Sequence, residues 1–195
     1  MTVKIVTDTG CDLPAPLIEQ YDIQLTPLVL RFGEQEVVDS PETRAELWRR
    51  VEAGLPCETS GPPVGPYLEV FGPLVEAGHE IVCITLTGAH SVTYTSATLA
   101  AQDFPGRISV IDGRSISLGY GLQALHAAEL AAAGADRAAV AEAVHSYQRR
   151  LTLRVFLESL DQVGRGGRLD ALMPVLSRLG AALNVRAVLT INPEG

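Results

Sequence analysis

The chain has 195 residues, 47% of them hydrophobic and 19% charged, a balance that suits a folded core and excludes a disordered segment. A net charge of −8 and a pI near 5.0 argue against the basic face of a nucleic-acid binder and against a general electrostatic grip on anionic membranes. Cys11, Cys57 and Cys83 are odd in number and lack metal-ligand spacing, so they read as reduced thiols of a cytoplasmic protein, and no apolar run is long enough to span a bilayer.

In chain order, Val3 to Thr7 reads as a buried strand, and Asp8-Thr9-Gly10 carries turn chemistry. Asp12 is placed to cap a helix starting near Pro14-Ala15-Pro16, because proline fits a first helical turn. Gln24 to Phe32 has strand character, Gly33-Glu34 reads as a turn, and Gln35 to Val38 as a short return strand. Glu42 to Ala53 is helical and stops at Gly54. Pro62-Pro63 leaves Cys57 to Gly61 as a loop or extended segment. Val64 to Ala77 follows as a helix that Gly72-Pro73 is expected to kink or interrupt.

Glu80 to Leu86 reads as a buried strand, and Ser91 as the cap of a helix running to about Phe104. Arg107 to Ile111 is another strand, followed by an Asp112-Gly113 turn and an alanine-rich helix from Ser115 or Ser117 to Ala133. Asp136 is expected to cap a helix from Arg137 to Arg150. Leu151 to Leu157 and Arg186 to Ile191 are strands, with a helix capped by Asp170 between them. Strand–helix alternation up to Arg150 predicts a parallel-sheet α/β domain over residues 1–150, and the change of rhythm after it predicts the start of a second α/β domain over 151–195. Ligands of such sheets gather at the carboxyl ends of the strands, where Asp8-Thr9, Thr87-Gly88 and Asp112-Gly113 fall.

The four histidines, His79, His90, His126 and His145, show no metal-site spacing, so no metal or other cofactor is implied. Neither phosphate-cradling glycine motif is present; Gly119 and Gly121 read as close-packing residues of a helix. Asp8 and Asp12 read as turn and cap residues before they read as a catalytic pair. Two hydroxyl clusters, Thr59-Ser60 and Ser91-Val92-Thr93-Tyr94, carry more information. Neither adjoins a base placed to activate it as a nucleophile. Such hydroxyls bind an anion, and a helix N-terminus at Ser91 adds partial positive charge. Ser91 as a plain helix cap is an equally open reading.

These segments also carry a resemblance. Asp8-Thr9-Gly10-Cys11-Asp12-Leu13-Pro14 resembles the opening motif of the DegV family, and Leu25 through Phe32 resembles its first hairpin. Thr59-Ser60-Gly61-Pro62 is similar to its Thr-Ser-x-Pro motif, and His90-Ser91-Val92-Thr93-Tyr94 to its Leu-Ser-Gly-Thr-Tyr motif. Val110-Ile111-Asp112 with Ser117 and Gly121, then Leu160 to Leu169 ending Gly166-Gly167-Arg168-Leu169, match two further blocks in the right order. The resemblance implies a DegV-like fold of two α/β domains, the second here incomplete, so the chain is expected to be a fragment, a truncated product or a degenerate copy. It implies a carrier without catalytic residues that encloses a long-chain fatty acid in a buried tunnel and presents the carboxylate to a fatty acid kinase. The implied carboxylate partners are Thr59, Ser91 and Arg168, with Ser60 and Thr93 beside them. The family's C-terminal histidine, which the resemblance adds to that set, lies beyond Gly195. Val92 stands where the family has glycine and His90 where it has leucine, which predicts a more crowded and more polar pocket mouth. A phosphoryl- or acyl-transfer enzyme using the same pocket, and a non-binding interaction module, are the alternatives.

Overall fold

A computed structural model describes residues 2–157 and 187–191. Its centre is a four-stranded parallel sheet in the order β2-β1-β6-β7, formed by β1 (Val3–Asp8), β2 (Gln24–Thr26), β6 (Glu80–Thr85) and β7 (Ile108–Asp112). The two inner strands are apolar on both faces because helices cover both: Val82, Cys83 and Ile84 have no solvent exposure. One face packs Ile5, Val82, Ile84 and Ile111 against Tyr120, Ala124, Val140 and Val144 of α5 (Leu118–Ala132) and α6 (Arg137–Gln148). The other packs Val6, Ile81 and Cys83 against Tyr67 and Phe71 of α3 (Val64–Glu76) and Ala97 and Ala100 of α4 (Thr93–Ala101). The small alanines let α4 and α5 approach the sheet closely.

Between β2 and α3 the chain builds a second sheet, order β4-β3-β5, from β3 (Val29–Phe32), β4 (Gln35–Val38) and β5 (Glu58–Ser60), with α2 (Pro41–Glu52) inserted before β5. The hairpin is therefore β3–β4, turning at Gly33, and not Leu25 through Phe32: β2 is an edge strand of the parallel sheet. β8 (Leu153–Leu157) and β9 (Ala187–Ile191) pair antiparallel in a separate two-stranded sheet. The expected helix after Asp170 and the segment carrying Arg168 lie outside the described residues.

Three local expectations are corrected. Asp12 does not cap α1 (Ala15–Gln20); it sits in the left-handed region at φ 52° after a short turn, and Pro14 holds the cap position with no side-chain bond. Helix α3 runs through Pro73 without interruption. Gly72 explains this, because it lacks the Cβ that would strike the proline ring in helical conformation, and Tyr67 and Phe71 anchor the helix in the core. Helix α4 begins at Thr93 with Val92 at its cap position, one residue later than a Ser91 cap requires, and ends at Ala101 rather than near Phe104. Asp136 does cap α6, accepting from the Ala139 amide at 2.8 Å.

Candidate functional site

The sheet order places a switch point between β1 and β6. From β1 the chain leaves toward β2 on one side; from β6 it leaves toward β7 on the other. The connections diverge at the carboxyl ends, the usual ligand position of such sheets. Asp8 sits fully buried at the end of β1. One carboxylate oxygen accepts from the Tyr120 hydroxyl and the Gly10 amide (3.1 Å), and the other accepts from the Leu86 amide (2.9 Å). Burial pushes the Asp8 carboxyl up from its ordinary value, and the bonds from Tyr120, Leu86 and Gly10 act against that shift. Arg44 of α2 closes the same turn from outside, pairing with both oxygens of Asp39 (2.6 and 2.8 Å) and donating to the Thr9 carbonyl.

The loop after β6 is held at several points. The Thr87 amide donates to the Ser115 carbonyl (3.1 Å), and the Gly88 amide to Asp112 (3.1 Å). At its far end the Ser91 oxygen accepts from the Thr93 amide (3.3 Å) and lies 3.2 Å from the Thr93 hydroxyl. The Thr93 hydroxyl hydrogen sits between two acceptors, Ser91 Oγ and the Leu86 carbonyl at 3.3 Å. Ser91 thus accepts from the Thr93 amide and shares one hydroxyl–hydroxyl contact with Thr93. The start of α4 adds partial positive potential at the same place.

Strand β5 brings the other hydroxyl cluster to this loop. Thr59 and Ser60 pair with Leu30 and Val29 of β3, and Gly61 follows directly. A Cβ on Gly61 would lie 2.9 Å from Val92 Cγ2, 3.1 Å from Ser91 Oγ and 3.1 Å from Thr93 Cγ2. The two motifs therefore touch through a glycine. Together with Gly88, Ala89, His90 and Thr95, the residues Thr59, Ser60, Ser91 and Val92 line an open concavity of about 410 Å³. The Ser60 hydroxyl donates to the Gly61 carbonyl (3.3 Å). Thr93 is fully buried and is not part of the concavity wall; it reaches the site through Ser91. Arg168 lies outside the described residues.

Val92 is accommodated without strain. Its φ of −80° is open to any residue, and its side chain is 56% exposed above the space Gly61 leaves. Sequence reasoning missed Gly61 as part of the site and Tyr120 as the partner of Asp8 beneath it. Gly61 had a signal in its place between a hydroxyl pair and a double proline; Tyr120 had none, since it meets Asp8 across 112 residues. Chemically, the arrangement offers hydroxyl donors, and among the described residues no hydrogen bond joins the lining His90 to Ser60 or Ser91. The Cys11 thiol is pushed up to about 11 by burial, and Cys83 is also raised by burial, so neither is poised as a nucleophile. Among the described residues no group of three His, Cys, Asp or Glu side chains is placed to hold a metal ion, and no helix is long and apolar enough to cross a membrane.

The family model described as "Uncharacterised protein, DegV family" matches residues 2–195. A DegV domain-containing protein of Clostridium perfringens is 33% identical over 171 residues, covering 86% of this chain and 61% of that protein. The structure of a fatty-acid-binding DegV family protein from Thermus thermophilus superposes with a TM-score of 0.86 at 32% identity, covering 99% of this chain and 69% of that one. That of the fatty acid kinase (Fak) B3 protein of Streptococcus pneumoniae, loaded with linoleic acid, superposes with a TM-score of 0.78 at 27% identity, covering 98% of this chain and 69% of that one. The chain thus spans less than two thirds of the Clostridium relative's length.

Proposed function

The chain belongs to the DegV family, and from that premise we propose that it binds a long-chain fatty acid, holds the carboxylate at Thr59 and Ser91, and presents it to a fatty acid kinase for conversion to acyl phosphate. The observation that supports this reading most is the meeting of Thr59, Ser60 and Ser91 around one concavity beside the start of α4. The fatty acids named for the Thermus and Streptococcus proteins point to the ligand, and the kinase named for the latter points to the partner. In this reading residues 1–150 are the anion-binding domain, residues 151–195 belong to a second α/β domain, and Arg168 is a further partner for the carboxylate.

The physics divides the work between tail and head. Each buried methylene contributes about 0.8 kcal/mol, so a long acyl tail supplies on the order of 10 kcal/mol before association costs. A carboxylate taken from water needs replacement donors, which hydroxyls, an arginine and a helix start provide. Hydroxyls bind the carboxylate without attacking it. It stays chemically intact for a kinase, and the carrier itself acts in the cytoplasm without cofactor or catalytic residue.

Native mass spectrometry of the purified chain, with solvent extraction of its cargo, tests this reading. The expected result is one fatty acid per chain. A protein that is empty and also rejects added oleic acid overturns the proposal.

A further inference from the structure

The network beneath Ser91 extends further than a local turn needs. Capping the turn after β1 takes only the Gly10 bond to Asp8. The other two partners of that carboxylate are remote: the Leu86 amide is 78 residues away and the Tyr120 hydroxyl 112. Leu86 is the first residue beyond β6, where the loop carrying Ser91 departs. Asp8 holds its N–H, and the Thr93 hydroxyl reaches its C=O. Both peptide groups flanking the Leu86 Cα are thereby fixed, and with them the point from which Thr93 approaches the Ser91 oxygen.

We infer that Asp8 is a positioning residue for the carboxylate site: through Leu86 and Thr93 it sets the direction in which Ser91 donates. The inference rests on the fatty-acid reading above. Asp8 touches no ligand; it acts across the switch point, fixing the first residue of the loop from the neighbouring strand. Tyr120 serves a different end, tying α5 to the same carboxylate through the opposite oxygen, so losing its hydroxyl leaves the Leu86 bond in place.

The test compares Asp8→Ala, Asp8→Asn and Tyr120→Phe in the isotopically labelled 195-residue chain, reading the Leu86 and Thr93 amide resonances, oleic acid affinity and unfolding stability. Asp8→Ala is expected to move both amide resonances and weaken oleic acid binding about tenfold, while Tyr120→Phe stays within about twofold of the unmodified chain although it is less stable. Asp8→Asn, which can turn its amide oxygen toward Leu86, is expected to recover part of the loss. A purely structural role predicts instead that affinity falls in step with stability across all three variants, and that result overturns the inference. So does unchanged binding in Asp8→Ala. Should Asp8→Ala not fold, binding by Asp8→Asn that is no weaker than binding by Tyr120→Phe overturns it equally. Failure of the fatty-acid reading looks different: the unmodified chain takes up no oleic acid, and the Leu86 and Thr93 resonances of the Asp8 variants then decide the positioning claim alone.

Discussion

A chain carrying both Thr59→Ala and Ser91→Ala is expected to bind a long-chain fatty acid about a hundredfold less tightly than the unmodified chain, with its fold intact. Thr59 is exposed on edge strand β5 and Ser91 is half-buried in a loop, so trimming their hydroxyls leaves the aliphatic core untouched. Losing the acceptor of the Thr93 amide costs about 1 kcal/mol of stability, too little to unfold the chain. The ligand carboxylate loses much more. A hydrogen bond to a charged group contributes about 1.5–3 kcal/mol, and two such losses at the lower end already amount to a hundredfold. Because Ser91 and Thr59 flank the same concavity, the single variants need not sum to the double one. Displacement titration of a fluorescent fatty acid measures all three. A double variant within twofold of the unmodified chain would remove both hydroxyls from the proposed site.

Gly121→Ala is expected to lower the stability of the fold by about 3 kcal/mol, the upper part of the range for overpacked cores. An added Cβ would lie 2.2 Å from the Cys11 carbonyl oxygen and 3.2 Å from its carbon, with Leu13 Cγ at 3.3 Å. Backbone cannot swing aside as a flexible side-chain end can. Either α5 lifts from the sheet or the turn after β1 moves, and both carry Tyr120 away from Asp8. Urea denaturation checks this through a midpoint lower by about 1 M, taking a slope near 3 kcal/mol/M for a chain of this size. An unchanged midpoint would mean that α5 does not approach the Cys11 turn as closely as described.

The parallel sheet was legible because buried strands leave apolar runs, such as Ile81 to Ile84, that no surface element tolerates. The Asp136 cap was legible because aspartate there directly precedes a helical pattern. Asp12 and Ser91 failed the same rule by small displacements. Asp12 stands three residues before α1, and Ser91 stands two before α4, where its oxygen still meets the Thr93 amide. Capping chemistry names the neighbourhood of a helix start but not its first residue. The hydroxyl pairs were visible as clusters without a base, yet nothing local indicated that β5 would pair with β3 and carry Thr59 to Ser91. That juxtaposition depends on tertiary packing through Gly61, as the Asp8–Tyr120 bond depends on α5 crossing the end of the sheet.

The proposed site rests a fatty acid carboxylate against the Thr59 and Ser91 hydroxyls. Its most direct measurement is the carbon-13 resonance of carboxyl-labelled oleic acid bound to the chain, followed across pH in the unmodified protein and in Ser91→Ala. The expected result is one sharp bound resonance from a carboxylate that stays ionised to lower pH than the free acid, because hydroxyl donors favour the charged form, and that moves in Ser91→Ala. A bound carboxyl that titrates like the free acid and ignores the substitution would contradict it.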